Sequence, residues 1–178
     1  MRRLPVLGLR HLLTGHLVLS TLHTNCAPET ITRLLDLGLD PVNFSDALLG
    51  VLAQRLMRTL CSNCKEAYKP TAEEFDHLVV TYGREQFGEL GFDPAKVQLN
   101  RPIGCDECGG TGYKGRTGIH ELLVAAQALR SLIYNKSSLD SLRQQALKDG
   151  MRTLKQDGIL KILTGCGDYK QLLRVVAE

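Results

Sequence analysis

Four of the six cysteines in this 178-residue chain stand in two identical spacings, Cys61-x-x-Cys64 and Cys105-x-x-Cys108. Each pair has the reach to supply two vertices of a tetrahedron. Two pairs brought together therefore present four thiolates, a set that zinc accepts because it is tetrahedral and tolerates soft sulfur ligands. The spacing predicts one closed, structural zinc site held by Cys61, Cys64, Cys105 and Cys108. Residues 65 to 104 form a longer connection than a compact zinc ribbon has, so the fold must close it. Four unrelated free thiols or two redox pairs are the competing reading, and no helix-opening Cys-x-x-Cys context favours redox. Cys26 and Cys166 lack such partners and read as ordinary buried small residues.

The second pair continues as Cys105-Asp106-Glu107-Cys108-Gly109-Gly110-Thr111-Gly112. Glycines after a thiolate pair permit positive φ and let amide N–H groups turn towards sulfur; a generic glycine turn fits the same residues. The Cys-x-x-Cys-x-Gly-x-Gly unit resembles the zinc repeats of DnaJ-type chaperones, although that family uses several units and this chain has one. It supports an alternative in which the chain is a zinc-stabilised protein-binding module that uses no nucleotide.

The elements that would position these residues follow from periodicity. Leu17 to His23 is a short apolar run rich in β-formers with a polar end at Thr24 and Asn25, as in a buried parallel strand. Pro28, the spacing of Ile31, Leu34 and Leu35, and Gly38 predict a helix next. Leu48, Leu49, Leu52, Ala53, Leu56 and Leu60 form a stripe that predicts a second amphipathic helix from Ser45 to Leu60, delivering the chain to Cys61. A further helix is expected around Ala72 to Tyr82, and a strand over Gly118 to Val124. The remainder reads as helical, punctuated by Gly150, Gly158 and Gly165, with Asp168 and Gln171 as the last N-cap pattern.

Composition narrows the class. The chain is 43% hydrophobic and 23% charged, with a net charge of +3, which suits a soluble globule and gives no large electrostatic footprint for nucleic acid. It has no Trp, four Phe and five Tyr, without the clustering of a stacking platform, so a zinc nucleic-acid module ranks last. No apolar stretch has the length needed to cross a bilayer. No export signal is read at the start, which predicts a reducing compartment.

A family resemblance then becomes specific. Thr14-Gly15-His16-Leu17-Val18-Leu19-Ser20-Thr21-Leu22-His23-Thr24-Asn25 resembles the histidine box of type II secretion and type IV pilus assembly ATPases. Three further segments agree in order: Ala53-Gln54-Arg55-Leu56 leading into Cys61, Gly112 to Glu121, and Gly150-Met151-Arg152-Thr153-Leu154 with Asp157-Gly158. The resemblance covers residues 13 to 178, whereas residues 1 to 12 depart from the pattern and Cys166-Gly167 replaces a hydroxyl-bearing turn.

Such ATPases are RecA-like hexamers that drive pilin or pseudopilin assembly, and the assembly-type branch carries a zinc insertion that retraction-type relatives usually lack. The resemblance implies an α/β fold: the distal half of a RecA-like P-loop NTPase domain in residues 1 to 60, a tetracysteine zinc lobe in 61 to 112, and a returning strand with a helical C-terminal extension in 113 to 178. It implies ATP and Mg as cofactors of a complete parent beside structural Zn, and a homo-hexamer in the cytoplasm. That hexamer would be peripheral to the inner membrane through secretion or pilus platform proteins, with no nucleic acid and no direct membrane insertion.

The chain holds no Gly-x-x-x-x-Gly-Lys-[Ser/Thr] loop and no acidic strand end for magnesium, so a C-terminal fragment without autonomous hydrolysis is expected. His23 would face the nucleotide's terminal phosphate in the resembling family. From residue type alone, a strand-end histidine reads as structural. Arg116, His120 and Glu121 are left structural, since an alternating strand face explains them.

Overall fold

The computed structural model describes residues 16–176, which divide into two compact units. One comprises residues 16–53 with Glu121–Arg152, and the other Gln54–His120 with residues 153–176. The elements are α1 (Ala27–Asp36), α2 (Pro41–Ala47), β1 (Gly50–Leu60), β2 (Glu66–Tyr68), α3 (Ala72–Tyr82), α4 (Arg84–Glu89), β3 (Leu99–Arg101), a 3-10 turn (Asp106–Cys108), β4 (Tyr113–Val124), α5 (Gln127–Tyr134), α6 (Leu139–Lys148), α7 (Leu154–Leu163) and α8 (Tyr169–Val176).

Two ladders carry the strands, β1 with β4 and β2 with β3. The Cys61 N–H donates to Gly112 O (2.9 Å) at one end of the first, and the Ala125 N–H to Leu49 O (3.0 Å) at the other, so β1 and β4 run antiparallel. In the second, antiparallel ladder, Glu66 pairs with Arg101, Ala67 with Asn100 and Tyr68 with Leu99.

The first unit is a helical layer. Its α1 packs on α6, α2 on α5, and α5 on α6, around a core that includes Ala27, Ile31, Phe44, Leu123, Leu129, Ile133 and Leu142. Pro28 lies in the first turn of α1 as expected, and Gly38, at φ +92°, follows its end with its N–H on Leu35 O (2.9 Å). The guanidinium of Arg130 donates to Ala125 O (2.8 Å), Asp46 O (2.6 Å) and Leu48 O (3.0 Å), fixing α5 to the turn that opens β1.

The second unit packs α3 on α7 and α7 on α8 over Met57, Leu78, Tyr82, Phe87, Ile119, Ile159, Ile162 and Leu172. The helix Ala72–Tyr82 begins at a capping box in which Thr71 accepts from the Glu74 N–H (3.2 Å) and Glu74 accepts from the Thr71 N–H (2.9 Å).

Three expectations are corrected. Ser45 to Leu60 is not one helix: α2 ends at Ala47 and Gly50–Leu60 is a strand. Leu48, Leu52, Leu56 and Leu60 lie four apart, and residues four apart share a face in a helix and in a strand alike, so this stripe could not decide between the periods; pairing with β4 does. Leu17 to His23 takes no strand, because among the described residues no strand pairs with it, and Leu17 and Leu19 are 72% and 88% exposed. Gly158 does not punctuate; it lies inside α7, where an added Cβ would run into Leu172 Cδ1 of α8. The predicted strand over Gly118 to Val124 is the second half of the longer β4.

Candidate metal centre

The two ladders close the long connection between the cysteine pairs. Cys61 follows the last residue of β1, Cys64 lies two residues before β2, Cys105 comes four residues after β3, and Cys108 five before β4. Pairing β1 with β4 and β2 with β3 therefore brings both Cys-x-x-Cys turns to one place, with α3 and α4 occupying the intervening chain. Across the second ladder, Arg101 makes an ion pair with Glu66 at 2.8 Å and lies over the Tyr68 ring.

The four sulfur atoms all lie within 4.8 Å of one another. Sγ–Sγ separations are 3.9 Å for Cys61–Cys105, 3.8 Å for Cys64–Cys108 and 3.8 Å for Cys105–Cys108. A regular tetrahedron with a metal–sulfur bond of about 2.3 Å has an edge of about 3.8 Å, so these separations fit a four-coordinate thiolate site. They are far outside the S–S bond length of about 2.05 Å, and all six cysteines are free.

Backbone amides point at the sulfurs. The Gly104 N–H donates to Cys64 Sγ (3.3 Å), and the N–H groups of Cys105 (3.2 Å) and Gly112 (3.1 Å) donate to Cys108 Sγ. Positive φ at Gly104 (+111°) and Gly112 (+75°) allows two of these approaches. At Gly104 a Cβ would in addition meet Gly110 O at 2.6 Å. Of the glycines after Cys108, Gly112 has the role the spacing suggested, whereas the N–H groups of Gly109 and Gly110 donate to Asp106 O (3.1 Å) and Cys105 O (2.9 Å). Gly104 was missed, and its place directly before Cys105 was the signal that could have found it.

These amides polarise the thiols unequally. The Cys105 amide, aided by that of Gly112, holds Cys108 down to about 6, whereas loss of water pushes Cys64 up to about 11. Lys114 is held above the ordinary lysine range, first by its hydrogen bond to Glu107 and to a smaller extent by Cys61 and Cys105. A dication among four thiolates leaves net negative charge, which sulfur-directed amides and a neighbouring cation offset. The arrangement could hold a metal ion in a closed shell and leaves no vertex for a substrate.

His23 is exposed, in the segment before α1 that forms no helix or strand. That segment is pinned where it enters the helix: Thr24 Oγ1 lies 2.7 Å from Thr30 Oγ1, the Asn25 N–H donates to Glu29 Oε2 (2.8 Å), and the Ala27 N–H donates to Glu121 Oε1 (2.7 Å). Cys26 makes no side-chain cap; its Sγ instead faces the Arg143 guanidinium at 3.8 Å. Glu121, only 4% exposed, therefore serves the start of α1 from a strand distant in sequence. An alternating polar face gave no sign of this.

Comparison with known proteins settles the family. The family model described as type II/IV secretion system protein matches residues 2–174. The chain belongs to this family. Curated members similar to it include the type IV pilus assembly ATPase PilB of Thermus thermophilus, 43% identical over 169 residues, and the type II secretion system protein E of Pseudomonas aeruginosa, 47% identical over 167. The type II secretion system ATPase E of Vibrio cholerae is 42% identical over 170 residues. Each alignment takes in 93% of this chain but 18%, 31% and 31% of the respective relative, so the chain spans less than a third of their length.

The crystal structure of the pilus retraction motor PilT with bound ADP matches 98% of this chain and 37% of its own, with a TM-score of 0.58 at 24% identity. That likeness shows the α/β fold. Among the described residues, no helix is long and apolar enough to cross a membrane.

Proposed function

We propose that this chain is the distal part of a motor ATPase of the secretion and pilus-assembly family, in which ATP hydrolysis drives pilin or pseudopilin assembly. A structural zinc ion, held by Cys61, Cys64, Cys105 and Cys108, braces it. One observation carries the reading: a tetrahedral set of four thiols lies inside a chain that matches the family along residues 2–174. The same match leaves the zinc-stabilised protein-binding module without favour, since it takes in the segments on both sides of the cysteines.

In this reading residues 1 to 60 complete a RecA-like core, 61 to 112 form the zinc lobe and 113 to 178 return a strand and the helical extension. His23 faces the terminal phosphate of ATP, with Mg and the phosphate-binding loop supplied by other parts of the motor. Phosphoryl transfer depends on positioning and charge neutralisation, so the chain alone turns over no ATP. The assembled motor is a cytoplasmic homo-hexamer at the inner membrane, attached through platform proteins and free of nucleic acid.

When bound, the metal cross-links two chain segments and performs no chemistry. The protein's own groups hold it: four sulfurs set the shell, and the amides of Gly104, Cys105 and Gly112 orient them.

The test is a chimera in which this chain replaces the matching segment of the Thermus relative. The chimera should carry one zinc per chain by metal analysis and hydrolyse ATP, while the isolated chain does neither turnover nor saturable nucleotide binding by calorimetry. A folded, zinc-loaded chimera without ATPase activity sinks the motor reading, and a folded chain without zinc sinks the metal assignment.

A further inference from the structure

The residues that border the four thiols share a second destination. The Leu60 N–H, beside Cys61, donates to Cys166 O at 2.9 Å. Lys65 Nζ, beside Cys64, donates to Gly165 O at 2.9 Å. Tyr113, beside the Gly112 that donates to Cys108 Sγ, places its hydroxyl 2.6 Å from Asp168 Oδ2. All three reach the turn between α7 and α8.

Side chains approach that turn closely on two sides. Gly165 has φ +73°, and a Cβ there would meet Asn100 Nδ2 at 2.8 Å and Lys65 Nζ at 3.2 Å. At Gly167 a Cβ would meet Met57 Cε at 2.5 Å. Asp168, besides accepting from Tyr113, accepts the Gln171 N–H at 2.9 Å and so caps α8. Leu172, one turn further on, is fully buried and lies against Gly158 of α7.

We propose that the metal centre is a latch for the C-terminal helix pair: binding of the ion fixes Leu60, Lys65 and Tyr113, and these three hold the α7–α8 turn and thereby dock α8. The inference rests on the reading of the four cysteines as metal ligands. Without the ion, the two cysteine turns are joined by no covalent or coordinate bond, and only the β1–β4 and β2–β3 ladders hold the three donors in register, a looser frame than the coordination shell adds. Hydrogen bonds from separate segments to one turn are cooperative only while those segments are held together. Loading of the metal is thus read out some residues away, at the last helix of the chain.

The experiment is amide hydrogen exchange on the full chain, zinc-loaded and after chelation, with zinc content followed by native mass spectrometry. Chelation should speed exchange at Leu60, Gln171 and Leu172 by about tenfold or more, and leave Leu142 in α6 of the other unit unchanged. The double variant K65M/Y113F alters no thiol; it should keep one zinc per chain yet show the same faster exchange at Gln171 and Leu172. Unchanged exchange at these amides in the zinc-loaded double variant overturns the latch, even if chelation unfolds the whole chain. Faster exchange after chelation confined to residues 61–65 and 104–112 also overturns it. A chain that takes up no zinc overturns the metal reading itself, and the mass measurement distinguishes that result from the others.

Discussion

The two units hold distant segments together by different means. In the unit formed by residues 16–53 and 121–152, α1, α2, α5 and α6 share an apolar core. Polar ties there are specific: Arg130 forks onto three carbonyls, and Glu121 accepts the first N–H of α1. In the unit formed by residues 54–120 and 153–176, an apolar core is also present, but the unit also holds four clustered thiols, and the chain around them is tied by amide-to-sulfur and side-chain bonds. Apolar packing degrades gradually as atoms are removed. A coordination shell fails as a whole when one ligand is lost.

The substitution expected to separate the two most widely is Cys105→Ser. It should abolish zinc binding and cost the second unit more than about 4 kcal/mol, because a structural metal contributes its binding energy to folding. Exchange protection should fall across α3 and α7 while α5 and α6 keep theirs. Retention of stoichiometric zinc, or equal loss in both units, would break the contrast.

A smaller effect is expected in the first unit from Glu121→Ala. Ala27 is fully buried, and its N–H would lose the carboxylate that it donates to at 2.7 Å. A buried donor left without its acceptor costs about 1–3 kcal/mol. Chemical denaturation should show a loss in that range with zinc content unchanged, and a loss under about 0.5 kcal/mol, the usual size of a neutral surface change, would return Glu121 to a passive role.

How far the sequence revealed this architecture depended on whether the signal was local. Thr71 and Glu74 announce a capping box three residues apart, and the helix from Ala72 to Tyr82 follows. Pro28 and Asp168 likewise mark helix starts with their near neighbours alone. The cysteine pairs were legible because ligand spacing is set by coordination geometry before any fold is known. What failed was long-range. Strand β1 reads as a helix in the sequence because its leucines four apart satisfy both periods, and only β4, more than 50 residues later, decides. Glu121 escaped for the same reason, since its partner is 94 residues away. The run from Leu17 to His23 carries the composition of a strand, but a strand exists only in a ladder, and among the described residues it has none.

His23 tests the contrast at its weakest point. Its side chain is exposed in the segment ahead of α1, and the bonds that fix that segment belong to Thr24, Asn25 and Ala27. Removing the imidazole should therefore leave the fold almost as it was: His23→Ala should shift stability by less than about 0.5 kcal/mol and leave zinc content unchanged. In the active chimera the same substitution should act on rate. A group near the terminal phosphate contributes most when charge and water geometry change in the transition state, whereas nucleotide affinity is dominated by the phosphate-binding loop. ATP turnover should then fall by about tenfold or more with little change in nucleotide affinity, since one positioned polar group at a transition state contributes at least that much. Stability measured beside turnover keeps the two explanations apart. A large loss of stability would make His23 a structural residue of the first unit, and unchanged turnover at unchanged stability would remove it from the nucleotide site.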